Sequence, residues 1–233
     1  MKEKDFIYKI YTKKEIQKIS NKINMFGVSK KTTVENFMNT RLFTSLIVFV
    51  FTFLFVDYSA ILSPIITAIW YFLFNYLLLD RPLKKREKKL DSEAYYYFEV
   101  LTLALESGRN LENAIKMACQ YIDSEISDEF KETLKQVNFG KSLAESLSLM
   151  NQRIPSLTIR NIILNIEQSN MFGNSIIDTM YNQLDFLKEK QVNDIKSEIN
   201  KIPNKISIVS VLFFIPLIIL IILGPMLISV LGK

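Results

Sequence analysis

Apolar residues follow two different rules along this chain. From 42 to 79 the only ionisable acid or base is Asp57, tyrosines aside, and from 206 to 232 there is none. Between these runs, over 80–205, apolar residues recur at helical intervals among Lys, Glu, Asp and Asn. An uncharged run of 18 or more residues is long enough to cross the ~30 Å hydrocarbon core as a helix. The stretch 42–79 is too long for one crossing and suits two, about 40–57 and 60–79, the first borrowing residues from 37–40. Asp57, Tyr58 and Ser59 supply a turn between them, because Asp and Ser side chains hydrogen-bond free backbone groups. A third crossing is predicted over 206–231.

The central region reads as helix throughout. Leu111, Ala114, Ile115, Ala118 and Ile122 step by three and four. Ile126, Phe130, Leu134 and Val137 do the same, as do Leu143, Ser146, Leu147 and Met150. Ile159, Ile162, Ile163 and Ile166 form a fourth stripe, and Ile177, Met180, Leu184 and Leu187 a fifth. Each marks one buried helix face, and the run 95–105, apolar nearly all round, predicts a buried helix.

The punctuation between stripes is regular. Gly108, Gly140 and Gly173 each follow a helical run, 32 and 33 residues apart. A glycine just past a helix end takes the left-handed conformation that satisfies the last carbonyls. Two residues on come Asn110, Ser142 and Ser175, residue types that cap the next helix. Glu145 stands three after Ser142, the spacing of a capping box. Pro155 marks a further boundary, opening a helix where its missing N–H is harmless. Six helices follow: 91–107, 111–122, 126–139, 143–152, 156–172 and 176–198. Short links between them favour antiparallel neighbours. The expected fold is an all-α membrane protein: an antiparallel six-helix bundle over 81–205, flanked by a transmembrane hairpin over 37–80 and a final span over 206–231.

Charge sets the expected orientation. The formal net charge is +5, and its basic clusters border the spans. Arg81, Lys84, Lys85, Arg86, Lys88 and Lys89 follow the second span. Lys30, Lys31 and Arg41 precede the first, and Lys201 and Lys205 the third. Basic flanks are retained on the cytoplasmic side, so the N-terminus and 81–205 are expected in the cytoplasm and the C-terminus outside, in a multi-pass protein of the cytoplasmic membrane. In this position the basic run is explained by the membrane rather than by nucleic acid. Residues 1–36 are polar and Lys-rich, with Ile16, Ile19 and Ile23 spaced as on a short amphipathic helix at the membrane surface; a frayed tail is the alternative. The first apolar run starts too late for a signal peptide. Pro216 and Pro225 in the last span predict kinks that pack against other helices.

Little in the sequence suggests catalysis. There is no histidine and only Cys119, so no disulfide framework, cysteine metal site or histidine base is expected. No phosphate-binding loop, nucleophile elbow or metal-ligand spacing is present, and no cofactor is expected. Asp123, Glu125, Asp128 and Glu129 cluster at a helix start and read as a solvated acidic turn favourable to the helix dipole; a weak divalent-cation site is the other reading, although the spacing matches no calcium loop. Glu106 and Glu167 lie near helix ends where a carboxylate is mildly unfavourable, which marks them as candidate partner contacts beside the reading of plain exposed glutamates. Gly140 and Ser142 are read as turn and cap, not as phosphate-binding loop and nucleophile.

One ordered set of fragments has a familiar arrangement: "LALESG", "NLENAIKMA", "FGKSLAESL", "NMFGNSIIDTM", a long charged helix ending in "KIPNKIS", and a span ending in "ILGPML". Over about 90–231 this resembles the type II secretion system F-domain family, inner-membrane platform proteins of secretion systems, type IV pili and tight-adherence (Tad) pili. The resemblance implies a six-helix cytoplasmic bundle with membrane helices on both sides. It implies as partners a hexameric secretion ATPase, pilin or pseudopilin subunits, and a paralogous platform subunit or further copies of the chain. Longer family members carry two bundles; one bundle after a hairpin is closer to the short Tad platform subunits. The resemblance brings no catalytic residue. The function expected is a non-enzymatic platform, and the alternative is a membrane-anchored sensor or adaptor binding a soluble regulator.

Overall fold

The computed structural model describes residues 11–28, 33–55, 59–172 and 175–231, the side chains of 59, 60, 171, 172 and 224–231 excepted. Asp57, Tyr58 and Gly173 lie outside the described residues. The protein is all-helical, with no strand among the described residues. Its elements are α1 (Lys13–Asn24), α2 (Val34–Phe55), α3 (Ser59–Asn75), a π-helical turn (Tyr76–Asp80), α4 (Arg81–Glu106), α5 (Leu111–Tyr121), α6 (Glu125–Asn138), α7 (Leu143–Arg153), α8 (Leu157–Phe172) and α9 (Ile176–Leu231). The chain divides into two compact units, Met1–Leu184 and Asp185–Lys233.

Within the first unit, α2 and α3 pack against each other. Both are apolar over a length that spans a bilayer, and most of their side chains face outward. Water would penalise such surface at roughly 25 cal/mol per Å²; lipid does not. At the base of the pair, Phe37, Met38, Phe74, Leu79 and Leu83 form a buried apolar cluster that also takes in Tyr11, Ile19 and Phe26. The segment around α1 is therefore docked, with Ile16 and Ile23 packed on that cluster, rather than frayed. Arg41, one of the basic residues read as flanking the first span, lies within α2 and is only 2% exposed. Its guanidinium lies 4.2 Å from the Tyr71 ring centroid and 4.9 Å from that of Tyr11, and Nη1 donates to Asn75 Oδ1 at 3.1 Å. Aromatic faces take up part of the charge that water would otherwise solvate.

The sequence predicts a break between the second span and the first helix of the bundle. None exists: Ile61–Glu106 is a continuous helical rod of 46 residues, interrupted only by the π-helical turn at Tyr76–Asp80. Pro82 lies inside this rod, directly after the π-helical turn, where the loss of one backbone hydrogen bond does not end a long helix, and charged residues on a rod leaving a membrane simply meet water.

The predicted stripes supply the core of this region. Leu111, Ala114, Ile115, Ala118 and Ile122 are buried, as are Ile159, Ile162, Ile163 and Ile166. Helix α4 contributes Ala94, Tyr97, Phe98, Leu101 and Leu105, and packs on α5, α6 and α8. The Phe130 ring stacks on Tyr97 at 4.7 Å between centroids and meets Phe98 edge-on at 6.2 Å. The run 95–105 is buried on one side only, since Tyr96 and Leu103 are exposed. Pro155 does not open α8: Ser156 is the cap, its Oγ accepting from the Ile159 N–H at 3.2 Å, and proline stands one residue before it.

Helix α9 replaces the predicted pair of elements at 176–198 and 206–231. It runs unbroken through Pro203 and Pro216, because a proline removes one backbone hydrogen bond and bends a long helix without ending it. In the second unit no residue of its most apolar window is buried. Among the described residues three helices are thus long and apolar enough to cross a membrane, within Val34–Phe55, Ile61–Glu106 and Ile176–Leu223.

Candidate functional site

The turns between helices hold most of the residues singled out by pattern. Gly108 and Gly140 have φ of 81° and 95°, in the left-handed region that side chains with a Cβ avoid. At the second, the Gly140 N–H donates to the Val137 carbonyl at 2.9 Å and the Lys141 N–H to that of Gln136 at 3.2 Å, so the last carbonyls of α6 are satisfied. A Cβ at either glycine would meet no atom within 4 Å; the requirement is conformational, not steric. Asn110 Oδ1 accepts from the Asn113 N–H at 2.9 Å, Ser142 Oγ from the Glu145 N–H at 3.1 Å, and Ser175 Oγ from the Asp178 N–H at 3.3 Å. Only one arm of the capping box forms, because the Glu145 carboxylate lies 3.6 Å from Lys141 Nζ. These turns sit at separate points along the chain and do not converge on one pocket.

Glu106 is exposed and accepts a hydrogen bond from the Tyr181 hydroxyl, joining the end of α4 to the start of α9. Glu167 is half-buried on α8. A groove of about 280 Å³ between α7 and α8 is lined by Ser148, Asn151, Gln152, Arg160 and Asn161, with Leu157 and Leu164 at its rim. It holds no nucleophile–base pair. Among the described residues no three His, Cys, Asp or Glu side chains are grouped to hold a metal ion.

The acidic turn at 123–129 is not uniformly solvated, and here the sequence reading is corrected. Glu129 is 2% exposed and accepts from Arg86 Nη2 at 2.8 Å and from Arg153 Nε at 2.9 Å. Arg86, read from sequence as one of six basic flanking residues, is buried. Its Nε donates to Glu125 Oε1 at 2.6 Å and its Nη1 to the carbonyls of Arg153, at 2.9 Å, and of Met25. Glu125 is also 3.4 Å from Lys89, and Glu93 Oε2 accepts the Glu125 N–H at 2.9 Å, capping α6 from another helix. Asp123 and Asp128 pair instead with exposed Lys131, at 3.8 and 3.1 Å. A buried arginine held by two carboxylates and two carbonyls is a fully engaged charge, and such groups specify how helices meet more than they stabilise them.

This cluster reaches the N-terminal segment through Gly27. The Val28 N–H donates to Glu129 Oε1 at 3.2 Å. Gly27 has φ of 75°, and a Cβ there would overlap Glu129 Oε1 and Arg86 Nη2. Sequence reasoning missed the arrangement because Arg86 is one basic residue among several and Gly27 follows no strong helical stripe. The available signals were weak: Glu125 and Glu129 one turn apart on one face, and a glycine at the end of the α1 pattern.

The single cysteine lies inside the helical core. Burial pushes the Cys119 thiol up from its ordinary range, opposed in part by hydrogen bonds with Tyr97 and Ser127. Tyr97 Oη is 3.4 Å from Sγ. A protonated, enclosed thiol is unreactive.

Comparison with known proteins gives one family. Residues 97–224 match the family model described as Type II secretion system (T2SS), protein F. No curated protein and no solved structure matches the chain.

Proposed function

The chain belongs to the type II secretion system protein F family, and from that premise we propose that it is a non-enzymatic platform subunit of a type IV pilus-like machine, of Tad type, or of a type II secretion machine. On this reading residues 81–205, together with the N-terminal segment, stand in the cytoplasm as a six-helix bundle, and the C-terminus lies outside the cytoplasmic membrane. A hexameric secretion ATPase acts on the bundle. The membrane helices engage pilin or pseudopilin subunits and a paralogous platform subunit or further copies of the chain.

The observation that carries the mechanism is the continuity of Ile61–Glu106. A flexible loop between span and bundle would dissipate a displacement of the bundle. A continuous helix carries it into the bilayer as tilt or rotation of the same rod. The π-helical turn at Tyr76–Asp80 sits where the rod leaves its apolar stretch, and such turns locally widen a helix at functional places. The work is supplied by nucleotide hydrolysis in the partner, and the chain contributes stiffness and docking surface.

The experiment is a chromosomal deletion with complementation, scored for surface fibres and for secreted substrate. Loss of both fibres and secreted protein in the deletion, restored by the intact gene, is expected. Normal fibres and secretion without the chain refute the proposal and leave the sensor or adaptor reading.

A further inference from the structure

The segment 11–28 is fastened at its two sides by different chemistry. Toward the membrane hairpin the contact is apolar: Tyr11, Ile19 and Phe26 are buried with Phe37, Met38 and Phe74. The α1 end is also tied there by Lys22 Nζ, 2.5 Å from Asp80 Oδ1. Toward α4 and α6 the contact of residues 25–28 is made by backbone polar groups, the Met25 carbonyl on Arg86 and the Val28 N–H on Glu129. Between them Gly27 approaches the ion pair so closely that no side chain fits.

We propose that residues 11–28 are a releasable strap, whose end at the charge cluster opens and closes while its apolar side stays on the hairpin. The cluster is built to survive the opening. With the turn gone, Arg86 keeps Glu125, Glu129 and the Arg153 carbonyl, and Glu129 keeps Arg86 and Arg153. No buried charge is left without a partner, which is the usual obstacle to separating elements across an ion pair. What is lost is two hydrogen bonds to backbone groups, and water replaces both, while the side chains of Met25 and Phe26 stay on the apolar cluster. Closed, the strap ties α4 and α6 to the hairpin base a second time, beside the rod Ile61–Glu106. Open, it leaves α4 joined to the hairpin through the rod, with α1 still in contact with α7. Gly27 sets the closed state, since any Cβ occupies the space of the ion pair.

Hydrogen–deuterium exchange of the full chain in detergent micelles, resolved by mass spectrometry, tests the idea. The Val28 N–H is the amide held by the cluster, and in the wild-type protein it is expected to exchange at least tenfold faster than the amides of Leu111–Tyr121, because the strap opens without the bundle. Gly27→Asn, which tolerates the left-handed backbone but carries a Cβ, is expected to accelerate exchange at Val28 at least tenfold further. Gly27→Val adds backbone strain and is expected to do at least as much. In both variants Leu111–Tyr121 keeps its wild-type protection. Unchanged exchange at Val28 in both variants overturns the proposal. So does equal acceleration at Leu111–Tyr121, which makes the turn part of the folding core, and so does wild-type exchange at Val28 as slow as at Leu111–Tyr121.

Discussion

Replacing Glu129 by alanine removes the carboxylate that two arginines share, and the size of the effect can be worked from the partners left behind. Arg86 is partly protected, because Glu125 remains at 2.6 Å and two carbonyls still accept from it. Arg153 is not: among the described residues Glu129 is its one carboxylate, and its Nη2 already lacks a partner there. Breaking a buried pair by removing one member costs about 3–5 kcal/mol, and with Arg86 half-compensated the lower end, about 3 kcal/mol, is expected. Glu129→Gln keeps the shape and an acceptor and should lose about half as much. Removing the set together, Arg86→Met with Glu129→Leu and Arg153→Met, should destabilise less than Glu129→Ala alone, because neither arginine is then stranded by the carboxylate's loss and Glu125 keeps Lys89. The assay is alkylation of Cys119, the one cysteine of the chain and buried inside α5, in the full chain in micelles. Where reclosing is fast relative to alkylation, its rate reports the free energy of exposing the core. At 1.4 kcal/mol per tenfold, Glu129→Ala should alkylate about a hundredfold faster than wild type. A change under fivefold, or a triple variant that alkylates faster than Glu129→Ala, would refute the account of the cluster as a specific, mutually dependent set of charges.

Other predictions follow from the same geometry. Phe130→Ala removes a fully buried ring that stacks on Tyr97 and meets Phe98, and should cost about 3–5 kcal/mol, read as earlier thermal loss of far-UV ellipticity and faster Cys119 alkylation. Gly140→Val places a β-branched residue at φ of 95° in open space, so only strain acts, about 1–3 kcal/mol; Gly140→Asn should recover most of it, and equal melting of all three proteins would rule out the left-handed turn. Because burial raises the Cys119 thiol, folding favours its protonated form: that stability is present below the ordinary value of 9.0 and is lost as pH rises through the raised folded value. Between pH 9 and 11 wild type should therefore lose stability more steeply than Cys119→Ala, and parallel pH curves would contradict the burial argument.

Much of the architecture was legible in the residue pattern because it depends on local signals. Uncharged runs longer than a bilayer is thick identify three apolar helices whatever surrounds them. The stripes at 111–122 and 159–166 are buried face for face, since helical periodicity alone decides which side chains share a side. Asn110 and Ser142 cap as their type and position require, a matter of a few neighbouring backbone atoms. Where reading by pattern went astray, the deciding contact was distant in sequence or a helix declined to stop. The pattern separates a helix over 176–198 from a span over 206–231, but losing one hydrogen bond at Pro203 does not end a 56-residue helix. The basic run after the second span looked uniform, yet Arg86 differs from Lys88 by facing inward.

What the sequence determined by itself is therefore the all-helical class, the three membrane-length apolar helices and the helix-stop, helix-start turns, because each rests on hydrophobic periodicity and capping chemistry within a few residues. Tertiary structure alone decided that span and bundle share one rod, that Arg41 sits among aromatic rings, and that Gly27, Arg86, Glu129 and Arg153 form one site. Those four residues stand up to 126 positions apart. A charge becomes a buried ion pair rather than a solvated flank only when packing withdraws water from it, and no local pattern records where that happens.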